Sequence, residues 1–139
     1  MDARSELSTL MDLARITAGL TRQVDRSISS VHGLGVGDLR LLLELADAPG
    51  RRMQRVELAE RMGVTPSGVA RQLGPLERIG VVARESHPSD ARLALAVLTD
   101  AGAALARDAA VTAQEAAVRA FDTRWSAEQQ ATLAALLAG

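Results

Sequence analysis

The chain has 139 residues, 47% of them hydrophobic, and a net charge of −1. That is enough apolar content for one core with helical extensions, but no run approaches the ~20 apolar residues of a bilayer span. There is no cysteine and only one Phe and one Trp, which excludes disulfides, thiol chemistry, cysteine metal sites and an aromatic platform for single strands or RNA loops.

Residues 5–31 have the pattern of a long helix. Leu10, Leu13, Thr17, Leu20, Val24, Ile28 and Val31 lie in one band, with Leu7, Met11, Ala14 and Ala18 in a second band beside it. An apolar arc this wide needs more than one neighbour, and a partner subunit is one candidate. His32-Gly33-Leu34-Gly35 ends the helix, and His32 is expected to be a helix-end residue. Asp38–Asp47 forms a short helix with Leu39, Leu42, Leu43 and Ala46 inward. Ala48-Pro49-Gly50 breaks it, and Arg51 and Arg52 follow at the edge of a small sheet.

Val56 to Arg92 is the most informative stretch. Leu58 and Met62 share a helix face, with small Ala59 beside them. Gly63 is a C-terminal stop that takes positive φ without strain. Thr65 is then an N-cap, with Pro66 at the first helical position. Val69, Leu73 and Leu76 form a buried stripe. Ser67, Arg71, Pro75 and Arg78 fall opposite, flanked by Gly68 and Gln72. Pro75, next to Gly74, predicts a kink or tightening. Gly80 stops this helix. Val81–Glu85 and Arg92–Leu98 have strand composition, and Ser86–Ala91 make the turn between them. Asp90 and Arg92 fall on the same side, so Asp90 is placed to accept the guanidinium's hydrogen bonds. His87 is expected to be a solvated turn residue.

Thr99 caps a helix running from about Asp100 to Thr123, with Asp100 at its positive end. Val111, Val118 and Trp125 recur every seven residues, the spacing of a seam between packed helices. Ser126-Ala-Glu-Gln129 is a capping box that opens a last helix with Leu133, Leu136 and Leu137.

The fold class that follows is mainly α with a small β wing: a winged helix-turn-helix lobe over 36–99, with a helical region from 1–35 and 100–139. Charge is distributed to match. Residues 51–92 hold eight Arg and five acids, net +3, and the rest holds eight Arg and twelve acids, net −4. A basic middle between acidic flanks is the footprint of a phosphate-binding surface, and duplex DNA is the expected partner. Thr65, Ser67, Gly68, Arg71 and Gln72 supply groups that read base edges and phosphates, against the plainer possibility of an ordinary exposed face. Arg78 and Arg84 either touch phosphate or pair with Glu77 and Glu85. A winged helix used only for protein contacts is one alternative. A small enzyme is another, but two His, no Gly-rich phosphate loop, no nucleophile elbow and no metal motif offer it little. No metal or cofactor is expected, no membrane association is expected, and the expected location is the cytoplasm, at the nucleoid through DNA.

The stretch ELAERMGVTPSGVARQLGPLERIGVVAR, then Asp90-Ala-Arg92, then Leu98-Thr99-Asp-Ala-Gly102, resembles the MarR family of winged-helix transcription regulators. The resemblance covers residues 36–105, about half the chain. It implies a homodimer formed by residues 5–31 and 100–138, a recognition helix at Pro66–Ile79 and a wing at Glu85–Arg92 with Arg92 reaching the minor groove. It also implies a repressor released by a small aromatic or anionic ligand, in a cleft lined by residues such as Leu13, Thr17, Leu20 and Leu42. Two departures stand out. Gln54 or Arg55 stands where the family has a hydroxyl cap, and Ala91 replaces one of two wing arginines.

Overall fold

A computed structural model describes residues 5–139, so the first four residues of the helical region drawn from residue 1 lie outside the described residues. The elements are α1 (Glu6–His32), α2 (Val36–Asp47), a 3-10 turn (Pro49–Arg51), β1 (Arg52–Gln54), α3 (Arg55–Met62), α4 (Pro66–Arg78), β2 (Val82–His87), β3 (Asp90–Leu98), α5 (Asp100–Asp122) and α6 (Ala127–Ala138). The strands form one antiparallel sheet in the order β1-β3-β2, so the fold is mainly α with a small wing, as the pattern predicts. Two compact units divide the chain: Leu34–Ala110, and the residues up to Gly33 together with Val111–Gly139.

In the winged-helix unit, α2 begins at Val36, earlier than its apolar pattern suggests, because Asp38 accepts the Gly35 N–H at 3.1 Å and caps the first turn. Its buried residues are Leu39, Leu41, Leu42 and Leu45. Leu43 and Ala46, expected inward, are exposed because the buried arc is centred on Leu42 and Leu45. α3 has Gln54 as N-cap with no side-chain bond, and it ends at Gly63 with φ +68. Val64 N–H closes the turn onto the Ala59 carbonyl at 3.0 Å. Leu58, Ala59 and Met62 of α3 and Val69, Leu73 and Leu76 of α4 are all buried, which holds the pair together at ~1.5–3 kcal/mol per large side chain. Arg55 at the start of α3 donates to Glu77 near the end of α4 at 2.9 Å. α4 does not break at Pro75. It stays helical to Arg78, and Ile79 N–H closes onto the Pro75 carbonyl at 3.2 Å. Only the bond that residue 75 would have donated back to the preceding turn is lost.

β2 and β3 pair from Val82↔Leu98 to Ser86↔Ala94, and the register then jumps to His87↔Asp90. The turn is therefore Pro88-Ser89, tighter than the expected Ser86–Ala91, and Ala91, Arg92 and Leu93 form a bulge. β1 pairs with the other edge of β3, so Arg52 does lie on an edge strand. Leu95–Leu98 are buried in succession, anchoring the base of the wing while its tip stays exposed. Gly102 explains part of the downstream motif. A Cβ there would stand 2.0 Å from the Val81 carbonyl oxygen, so only glycine lets the first turn of α5 lie against β2's entry. Thr99 completes the joint by donating its hydroxyl to Gly80 O at 2.7 Å and accepting Gly102 N–H at 3.0 Å.

In the helical unit, Ser126 and Gln129 form the expected reciprocal capping box at the start of α6. His32, the last residue of α1, shares a 2.8 Å hydrogen bond with Thr112. Trp125 lies beyond the end of α5 and packs edge-on to Phe121 at 5.3 Å. Val111 and Val118, the other members of the seven-residue spacing, are exposed. Among the described residues, no helix is long and apolar enough to cross a membrane.

Candidate nucleic-acid interface

The outward face of α4 is set by its cap and its buried stripe. Thr65 Oγ1 accepts Gly68 N–H at 3.0 Å and lies 3.2 Å from Ser67 Oγ, so this hydroxyl organises the helix start. Ser67, Arg71 and Arg78 are exposed on the face opposite Val69, Leu73 and Leu76. Ala70 and Pro75 share that face; Ala70 has no polar group to mark it in the sequence. The helix N-terminus adds a positive dipole end, which suits phosphate.

Gln72 differs from its neighbours. It is half-buried, and its Nε2 donates to Asp38 Oδ1 of α2 at 3.3 Å. Asp38 is a residue that sequence reasoning missed. Its signal was only that of an acid in a helix's first turn, whereas the Gln72 contact spans 34 residues. The acids adjacent to Arg78 and Arg84 are engaged elsewhere: Glu77 with Arg55 at 2.9 Å and Glu85 with Arg52 at 3.2 Å. Arg78 and Arg84 themselves are exposed.

At the wing tip, Asp90 Oδ1 accepts both the backbone N–H (3.0 Å) and Nε (3.1 Å) of Arg92, and Oδ2 accepts from a terminal guanidinium nitrogen at 3.1 Å. The Arg92 side chain is otherwise 90% exposed. Its guanidinium, then its backbone N–H, hold the Asp90 carboxyl below the usual carboxylate range, and the same side-chain bond raises Arg92. His87 is not simply solvated. It is half-buried, and its Nδ1 accepts the Ser89 N–H at 3.0 Å, closing the turn.

Of the residues expected at a ligand cleft, Leu13 and Thr17 are exposed on α1 and Leu20 is half-buried there. Leu42 is wholly enclosed in the winged-helix core, like Leu41 and Leu45, because the leucine spacing of α2 turns it inward. It offers no surface to a ligand.

Two helices joined by a glycine turn, the second with an outward hydroxyl and guanidinium face, and a hairpin carrying an ordered arginine define a winged helix-turn-helix protein. Comparison with known proteins narrows the class. The family model described as MarR family matches residues 32–93. A Thauera aromatica protein named for regulation of the hcr operon is 32% identical over 118 residues, covering 84% of this chain and 68% of that one. The chain belongs to the MarR family, a family of transcription regulators and not of enzymes. The Bacillus subtilis HTH-type transcriptional repressor YetL is 38% identical over 73 residues, which span 52% of this chain but only 44% of that protein. A MarR family regulator from Streptomyces coelicolor, solved in complex with DNA, is 29% identical with a TM-score of 0.84, covering 99% of this chain and 87% of that one. A MarR family protein from Mycobacterium tuberculosis, solved with salicylic acid, is 32% identical with a TM-score of 0.72, covering 98% and 96%.

Proposed function

We propose that the protein is a homodimeric transcription regulator that binds pseudo-palindromic duplex DNA, with α4 in the major groove and the wing at the minor groove. The observation that carries this is the exposed Ser67–Arg71–Arg78 face together with Arg92 pre-ordered by Asp90. In this reading Ser67, Gly68, Arg71 and Gln72 approach base edges. Thr65 caps the helix whose N-terminus meets phosphate, and Arg78 and Arg84 neutralise phosphates. Arg92 enters a narrow minor groove whose negative potential attracts it, and Asp90 orients it.

The helices α1, α5 and α6 form the dimer. A two-fold dimer sets half-sites about one helical turn apart, ~10 bp centre to centre. The protein acts as a repressor in the cytoplasm, at the nucleoid. A small aromatic or anionic effector, acting through the α1 surface of Leu13, Thr17 and Leu20, releases it. An effector can do so only by favouring a dimer unable to hold DNA. The Mycobacterium neighbour with salicylic acid supports this effector class, and salicylate is the first compound to try.

Sedimentation combined with titration of duplex DNA across a salt series tests the reading. The expected results are a dimer, sequence preference and a slope of log K on log salt of about −7 if each protomer neutralises roughly four phosphates. A monomer that ignores duplex DNA at low salt overturns it.

A further inference from the structure

We infer that Asp38 decides what Gln72 shows to DNA: by holding the amide nitrogen at α2, it turns the carbonyl oxygen toward the groove and makes Gln72 select a base that carries an exocyclic amino group. This rests on the DNA-binding reading above and adds a specificity determinant outside the recognition helix.

The chemistry fixes the sense of the amide. An ionised carboxylate only accepts hydrogen bonds, so of the two ends of the Gln72 amide only the nitrogen can face Asp38 Oδ1, 3.3 Å away. An unrestrained glutamine amide turns either end outward, since its terminal torsion is soft. Asp38 cannot swing away with it, because its Oδ2 accepts the Gly35 N–H at 3.1 Å. Gly37 leaves room for the nitrogen; a Cβ there would stand 3.3 Å from Gln72 Nε2. The usual glutamine–adenine contact presents oxygen and nitrogen together. With the nitrogen kept at α2, the oxygen is the end available to the groove. Adenine N6 and cytosine N4 donate there, whereas guanine O6 and thymine O4 accept. One base pair per half-site therefore favours A or C on the contacted strand.

Asp38→Asn makes a sharp test. The Gly35 N–H still requires an oxygen, so the asparagine carbonyl stays on the cap and its NH2 faces Gln72. The glutamine then presents its own oxygen inward and its nitrogen to DNA. The preference moves away from C, which offers only a donor, toward an accepting edge, above all guanine with O6 and N7. Base preference is read on duplexes randomised across the operator for wild type, Gln72→Ala, Asp38→Asn, Gly37→Ala and Asp38→Asn/Gln72→Ala. Thermal melting and random-DNA affinity are read in parallel. Gln72→Ala should erase the preference at one position. Asp38→Asn should shift it by about fivefold or more toward an accepting base. Gly37→Ala, which crowds the nitrogen, should weaken it, and Asp38→Asn should add nothing once Gln72 is absent. For Asp38→Asn, which keeps the Gly35 cap and touches no DNA, melting and random-DNA affinity should stay near wild type. An unchanged profile in Asp38→Asn, a loss equal on every sequence, or no effect of Gln72→Ala overturns the inference while DNA binding stands. Wild-type protein that binds no duplex at low salt sinks the DNA-binding reading and this inference with it.

Discussion

The two units of the chain have similar apolar material and finish it differently. In the winged-helix unit Leu41, Leu42, Leu45, Leu58, Val69 and Leu73 are completely buried within one chain. In the helical unit Ile28 is buried, yet Leu7, Leu10 and Met11 of α1 are 59–62% exposed and Leu136 and Leu137 of α6 are both 75% exposed. One unit completes its own core. The other carries apolar faces that a lone protomer leaves in water, and surface of that kind marks an interface. One body is thus finished by its own sequence, whereas the other leaves apolar faces open, which in the reading proposed above a second copy covers.

Several measurements break or sharpen this contrast. The largest effect is expected from charging the open face. Leu136→Asp with Leu137→Asp should raise the dimer dissociation constant by about 10²–10⁴, since each buried leucine contributes ~1.5–3 kcal/mol. Sedimentation checks it, and an unaltered dimer would place the interface elsewhere. Next is Leu58→Ala, a cavity in the closed core, which should cost ~2–5 kcal/mol in a denaturant titration without changing subunit number. If it instead dissociates the dimer, the two units are not independent. Arg71→Ala should weaken specific binding by ~1–3 kcal/mol and relax preference at one base pair per half-site. Equal weakening on operator and random DNA would show that Arg71 meets only phosphate.

The smallest effects lie at the wing. Arg92→Ala should weaken binding on every sequence, more beside A·T-rich DNA. Asp90→Ala should weaken it less, and the double variant should match Arg92→Ala, because Asp90 acts through Arg92. Tighter binding by Asp90→Ala would leave it a turn residue only. The pH dependence follows from the same pair. The Asp90 carboxyl is depressed by Arg92, so the interaction is fully present above its ordinary value of 3.8 and is lost only as pH falls through the lower folded value. The Arg92 Nε–H resonance should therefore be unchanged by Asp90 titration between about pH 5 and pH 8. A titration of that signal centred in this window would contradict the pairing.

The sequence by itself determined the features that act within a turn or two of the chain. Gly63, Thr65 and Pro66 mark the helix-turn-helix joint because a positive φ, a side-chain cap and a preset φ are local requirements. Ser126 with Gln129, and Asp90 with Arg92, were legible for the same reason: their partners are three and two residues away. The stripe of Val69, Leu73 and Leu76 was legible from periodicity alone, and it fixed the outward face of α4. Only the tertiary structure decided which distant groups meet. Glu77 goes to Arg55, Glu85 to Arg52 and Gln72 to Asp38, because packing of α2, α3, α4 and the sheet brings them together and adjacency does not. The register jump after Ser86 and the outward turn of Leu43 and Ala46, both expected inward, belong there too, since strand pairing and the direction of a helix's buried arc depend on what covers them. Gly102 sits between the two kinds. The sequence displays it, but the 2.0 Å approach to Val81 that demands it exists only once α5 has packed against the start of β2.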